Sequence, residues 1–118
     1  MHALKQHATE LVRLLKEAER PGAIAAADDV KAALFARREA LAPLRGFLNS
    51  LTDAQLKQLV GLMFFGRDCR NGDSEDLDAT TETVWQGRAD AYLAFETKTA
   101  HNLESYFTTA FKNLRKNS

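Results

Sequence analysis

Along the first twenty residues the apolar positions Leu4, Ala8, Leu11, Leu15 and Ala18 recur at alternating steps of four and three, with Lys5, Glu10, Arg13, Lys16 and Glu17 on the other side. That period is one face of a helix, and Pro21-Gly22 is a stop signal. The next segment, "AIAAADDVKAALFARREALAPL", is rich in the strongest helix former, and Val30, Ala33, Leu34, Leu41 and Leu44 make its stripe. Asp28 and Asp29 suit a first helical turn, where carboxylates meet the positive end of the helix dipole. Pro43 removes a backbone donor, so the helix breaks near Ala42 and a short one runs from Pro43 to about Asn49.

The clearest local signal is "LTDAQL". Thr52 and Gln55 have the spacing of a capping box, and Leu51 and Leu56 flank it as a hydrophobic staple, so a helix starts near Asp53. It carries Leu56, Leu59, Val60, Leu62, Met63 and Phe64, apolar around most of its circumference, which predicts a central position. Gly66 is expected to end it in the left-handed conformation. After an acidic loop, "ATTETVWQGRADAYLAF" places Val84, Trp85, Arg88, Ala89, Tyr92 and Leu93 at helical spacing, with an ill-defined start at its threonines. A last helix, "TAHNLESYFTTAFKNLRK", puts Ala100, Leu103, Tyr106, Phe107, Phe111 and Leu114 on one face, and Lys112, Arg115 and Lys116 suit its C-terminal end. No strand alternation, repeat or long linker appears. The expected fold is all-α: a single domain of four or five helices, bundled compactly around the helix at about 53–66, with short connections favouring antiparallel neighbours.

Charge changes this picture little. At 118 residues the chain fits one domain, and its 16 basic and 16 acidic side chains cancel, so no global field draws in nucleic acid or an anionic membrane. Residues 51–82 hold 3 basic and 7 acidic side chains, a local excess of negative charge between two mildly basic segments. A lone cysteine excludes an intrachain disulfide and fits a reducing compartment. The charged N-terminus lacks a signal-peptide core, and no apolar run approaches the roughly 18 residues that would span a bilayer. A cytoplasmic protein of bacterial style, without membrane association, is expected.

The stretch "GRDCRNGDSED" invites several chemistries and satisfies none. Read as an EF-hand around Gly72, it puts Arg67 at the first ligand position and Asp78 where a bidentate glutamate belongs. The acids Asp73, Glu75, Asp76 and Asp78 read better as loop solvation and as favourable charge at the next helix start. Cys69 lies between Arg67 and Arg70, which lower a thiol's pKa, yet no base adjoins it, and His2, His7 and His101 are distant in sequence. One cysteine with scattered histidines is not a zinc set, and His101 with Glu104 is not a di-iron pattern. P-loop, GxSxG and GxGxxG motifs are absent. We therefore assign no catalytic residue, metal or cofactor.

The segment "LNSLTDAQLKQLVGLMFFGRD" resembles a small bacterial family of uncharacterised proteins, the domain of unknown function 3775, whose members read L-N-x-x-E-Q-x-x-L-V-A-L-M-W-x-G-R-G. Leu59, Val60, Leu62, Met63, Gly66 and Arg67 match, as do Tyr92-Leu93 and Leu103 further on, so the resemblance covers roughly residues 48–107. The chain departs in having Phe65 near the family's tryptophan, no proline around Thr97 and a longer loop. The resemblance implies a helical fold and no activity.

The remaining candidates are recognition or interface residues. Arg67 follows the glycine on an apolar helix end, where it pairs with an acid of its own loop, with Asp90 or with Glu96, or projects toward a partner. Phe35, Phe47, Phe64, Phe65, Trp85, Phe95 and Phe111 are more aromatic surface than so small a domain readily buries, and adjacent Phe64 and Phe65 cannot share one side of a helix. Phe64, Phe65, Arg67 and Trp85 are thus the expected interface set. The function they suggest is non-enzymatic protein–protein contact, with a homodimer expected. The alternative, a nucleic-acid-associated regulator, would use the basic N-terminal half through Arg37, Arg38 and Arg45, and neutral overall charge disfavours it.

Overall fold

The computed structural model describes residues 2–19, 30–70, 72 and 76–116. Among them are seven helices and no strand: α1 (His2–Ala18), α2 (Val30–Ala40), α3 (Ala42–Ser50), α4 (Asp53–Arg70), α5 (Leu77–Val84), α6 (Arg88–Glu96) and α7 (Ala100–Lys116). The all-α expectation holds, and the expected count of four or five is too low. Pro21, Gly22, Asp28, Asp29, Asp73 and Glu75, on which a helix stop and two acidic helix starts were predicted, lie outside the described residues.

Local chemistry accounts for most boundaries. The capping box forms as read: the Thr52 N–H donates to Gln55 Oε1 at 2.9 Å and the Gln55 N–H to Thr52 Oγ1 at 3.1 Å. Both staple leucines, Leu51 and Leu56, are buried. Pro43 sits in the first turn of α3, after a one-residue break at Leu41. Asp76 is the N-cap of α5, accepting from the Ala79 N–H at 2.8 Å, and Asp78 follows in its first turn. The single helix expected over residues 79–95 is two, because Trp85 is extended and Gly87 takes φ 98°, a left-handed-side conformation that a helix cannot contain. At α7, the Thr99 hydroxyl accepts from the Asn102 N–H while Glu19, just past α1, accepts from the Ala100 N–H at 2.8 Å. A carboxylate from the far end of the chain thus satisfies a backbone donor at a helix N-terminus, where the dipole favours negative charge.

α4 is the central element. Leu56, Leu59, Val60, Leu62, Met63 and Phe65 are buried along it, and it packs against α1, α5, α6 and α7. It also runs four residues past Gly66, so Gly66 is not its cap. A methyl group on Gly66 would strike the backbone of Tyr106 on α7, meeting its carbonyl oxygen first and its carbonyl carbon at 2.6 Å. On another side of the helix, a methyl on Gly61 would meet the Thr81 side chain of α5, with Cβ at 2.7 Å. The two glycines let two helices press against α4 from different directions, a packing role for which any side chain is too large. α1 closes the other side with Ala8, Leu11, Val12, Leu14, Leu15 and Ala18, all buried, a wider apolar arc than its sequence stripe. No helix among the described residues is long and apolar enough to cross a membrane.

Candidate functional site

Because Glu19 meets Ala100 and Lys16 pairs with Glu104, the C-terminal end of α1 lies beside the N-terminal end of α7, and the two helices are antiparallel. Between them runs a solvent-open groove of about 510 Å³. Its floor is Ala8 and Val12 from α1 and Phe107 and Phe111 from α7. The groove exists because α1 presents small side chains where α7 presents large ones. Lys5, Arg13 and Lys16 rise along one rim, with Glu104 and Thr108 on the other. Most rim charges are already matched. The Arg13 guanidinium hydrogen-bonds Glu10 and holds that carboxyl below its ordinary range, and Lys16 does the same to Glu104. Lys5 has no carboxylate partner among the described residues.

A second polar cluster lies where α2 and α3 meet the end of α6. Glu96 is buried and receives a two-pronged hydrogen bond from Arg45, through Nε and through Nη2 at 3.0 Å, which raises the Arg45 pKa. Arg37 Nη2 donates to the Glu96 carbonyl oxygen at 2.9 Å. Arg37, Arg38 and Arg45 together line a shallow pocket of about 160 Å³ with Leu41. Arg88 anchors a third cluster, bonding Asp53, the carbonyls of Leu48 and Leu51, and the Tyr92 hydroxyl, which itself donates to Asn49. Every group there is a mutual partner, so this cluster reads as a clamp holding α6 on the start of α4.

No family model matches the chain, and neither a curated protein nor a solved structure matches it.

The structure separates the predicted interface set. Phe65 is in the core, 3 % exposed. Phe64 and Trp85 are half-buried against the core. Arg67 stacks on the Phe64 ring, 4.5 Å from its centroid, and reaches Asp68 at 3.3 Å. Its side chain remains 42 % exposed, so its acid partner is a neighbour in sequence and the pair is not buried. Glu96, one of the partners considered for it, belongs to Arg45. No hydrogen bond, ion pair or ring contact joins Trp85 to Phe64 or Arg67 among the described residues. Cys69 reverses the sequence-based reading of its acidity. Burial pushes the thiol pKa up and Asp68 adds to the effect, while Arg70 turns to stack on Tyr106 at 5.4 Å. Among the described residues no group of three or more histidine, cysteine or acidic side chains is placed to hold a metal ion.

Sequence reasoning missed the groove itself and the Arg45–Glu96 pair; among the described residues two large apolar side chains, Phe35 and Leu93, are exposed, and of these only Phe35 was among the aromatics in surplus. One signal for the pair was legible. Glu96 ends a helix, where a carboxylate opposes the dipole, so it needs a cation from elsewhere in the fold.

Proposed function

We propose that this protein is a non-enzymatic helical module that works by protein–protein contact, through the face made by α1 and α7. The observation that carries the reading is the solvent-open, apolar-floored groove between those helices, the kind of surface on which a partner helix can lay side chains. Its partner is a second copy or another protein. Kinship with the domain of unknown function 3775 belongs to the same proposal; it rests on Leu59, Val60, Leu62, Met63, Gly66 and Arg67, four of them core residues of α4 and a fifth, Gly66, its crossing point with α7. A photo-cross-linking side chain placed at Thr108, on the groove rim, should capture protein in the living cell, while the same group at exposed Ala79 on α5 should not. Equal capture from both positions, or none from Thr108, would refute the reading.

A second reading has one observation in its favour. Arg37, Arg38 and Arg45 do converge on one pocket, as a phosphate-contacting patch requires. Arg45 is already neutralised by Glu96, which leaves the patch two uncommitted charges at most. Binding to duplex DNA that weakens steeply with added salt, and weakens further in Arg38→Ala, would support it; no binding at low salt would end it.

A further inference from the structure

We propose that Arg37, Arg38 and Arg45 form a binding site for a single phosphomonoester group, on the surface where α2 and α3 meet the end of α6. The site shares no residue with the α1/α7 groove, so the inference goes beyond the protein-contact reading and does not depend on it.

The backbone brings the arginines together. The Leu41 N–H donates to the Arg37 carbonyl at 3.0 Å, and the Arg45 N–H to the Leu41 carbonyl at 2.9 Å. Helical spacing therefore runs through the break between α2 and α3. Arg37, Leu41 and Arg45 follow one another along one face, a turn apart. Leu41 is buried and makes the floor, and Arg38, beside Arg37, completes the pocket.

Glu96 fixes two of the three cations. Its buried carboxylate accepts from Arg45 Nε and Nη2, and its carbonyl oxygen accepts from Arg37 Nη2 at 2.9 Å. A carbonyl orients a guanidinium without cancelling its charge, so Arg37 stays a full cation with N–H donors to spare. Glu19, which shares a neighbouring depression with Arg37 and Lys98, is spent on the Ala100 N–H at the start of α7. Arg38 is exposed and has no partner among the described residues. Arg45 and Arg37 suffice to hold the end of α6 in place. Arg38 contributes nothing to that task and adds a charge to the pocket.

Charge names the ligand. Three guanidinium groups share one carboxylate, which leaves two positive charges uncommitted. A phosphomonoester carries about −1.5 to −2 near neutral pH and matches that surplus. Its terminal oxygens also suit the planar, forked donors that arginine presents and lysine does not. Duplex DNA is the poorer fit. A protein that holds it typically contacts about 6–10 phosphates spread along the strands, whereas these charges converge on one point.

A chemical-shift titration of the full chain, at neutral pH and low salt, tests the site through the arginine side-chain ¹⁵Nε signals. Methyl phosphate, a monoester, is the ligand used, and dimethyl phosphate, a diester with a single charge, is its control. Methyl phosphate should saturate the Arg37, Arg38 and Arg45 signals with a Kd of about 1 mM, and dimethyl phosphate should bind at least about tenfold more weakly. Arg38→Ala should keep the helical spectrum and weaken methyl phosphate about tenfold, and Arg38→Lys, which keeps the charge and loses the fork, about threefold. Lys5→Ala, in the α1/α7 groove, should change nothing. A phosphoserine tripeptide separates the sources of the group. Tighter binding than methyl phosphate places it on a protein, equal binding places it on a small molecule, and either keeps the site. No saturation by about 50 mM overturns the proposal, as does an affinity untouched by Arg38→Ala or a diester that binds equally well. A short DNA duplex that binds more tightly through the same arginines overturns it in favour of nucleic acid. None of these failures touches the protein-contact reading, which is tested at Thr108 on the other face.

Discussion

Gly66→Ala tests the packing at the centre of the molecule, with Gly46→Ala as its control. Both glycines lie inside helices, α4 and α3, and neither needs a left-handed conformation. Alanine is the better helix former by about 1 kcal/mol, so in open space the substitution stabilises. Gly46 is such a place, because a methyl group there meets nothing within 4 Å. At Gly66 the methyl would sit 2.6 Å from the Tyr106 carbonyl carbon, and closer still to its oxygen. An ordinary contact is about 3.5 Å, so α7 must retreat by at least ~1 Å at the crossing. The obstacle is backbone held in a helix and cannot rotate away, which puts the penalty near the upper end of the 1–3 kcal/mol typical of overpacked cores. Subtracting the propensity gain leaves a net loss of about 2 kcal/mol. For a domain of this size that lowers Tm by about 6–10 °C, while Gly46→Ala raises it by about 3 °C. Thermal unfolding followed by circular dichroism reads both. If Gly66→Ala unfolds at or above the wild-type temperature, α4 and α7 do not cross there.

Three further outcomes follow from the side-chain geometry. Thr80 is buried with its hydroxyl unpartnered among the described residues, so Thr80→Val, of nearly the same shape, should stabilise by about 1 kcal/mol in denaturant titration; a loss of stability would mean that the hydroxyl has a partner. Arg45→Met should destabilise by about 1–2 kcal/mol, below the usual figure for a broken buried pair because the Arg45 side chain is 51 % exposed, and Arg45→Met with Glu96→Leu should recover most of it; additive losses would show the two residues to be uncoupled. Glu10 and Glu104 have carboxyl pKa values lowered by Arg13 and Lys16, so their contributions are present at neutral pH and fade as pH falls below about 4.5 toward the lowered values. Replacing both by glutamine should lower Tm more at pH 7 than at pH 3, and an equal drop at both pH values would show the pairs to be irrelevant.

What could be read from the chain follows the range of the interactions. The Thr52–Gln55 capping box, the Pro43 break and the Asp76–Asp78 helix start are settled by neighbours three or four residues away, and their residues announce them. Gly66 was misread because glycine answers two needs, a left-handed cap and a close helix crossing, and the second depends on Tyr106, 40 residues downstream. The break at Gly87 was signalled by glycine within a helical pattern, yet the flanking apolar spacing continues in phase through it. The interface residues were chosen on aromatic surplus. Aromatic count does not say which ring is covered, and α4, packed on several sides, covers Phe65 fully and Phe64 in part. The groove was illegible because small residues on α1 and large ones on α7 form a depression only once the two ends of the chain lie side by side.

The most direct test of the account is a set of ¹⁵N-resolved amide spectra of the full chain, recorded from dilute to concentrated solution. With a second copy as the partner, the account predicts concentration-dependent shifts at Lys5–Lys16 and Glu104–Phe111, with Phe64, Arg67 and Trp85 unmoved; with another protein as the partner, the same residues shift when that protein is added. Shifts centred on the α4–α5 surface in either case would contradict it.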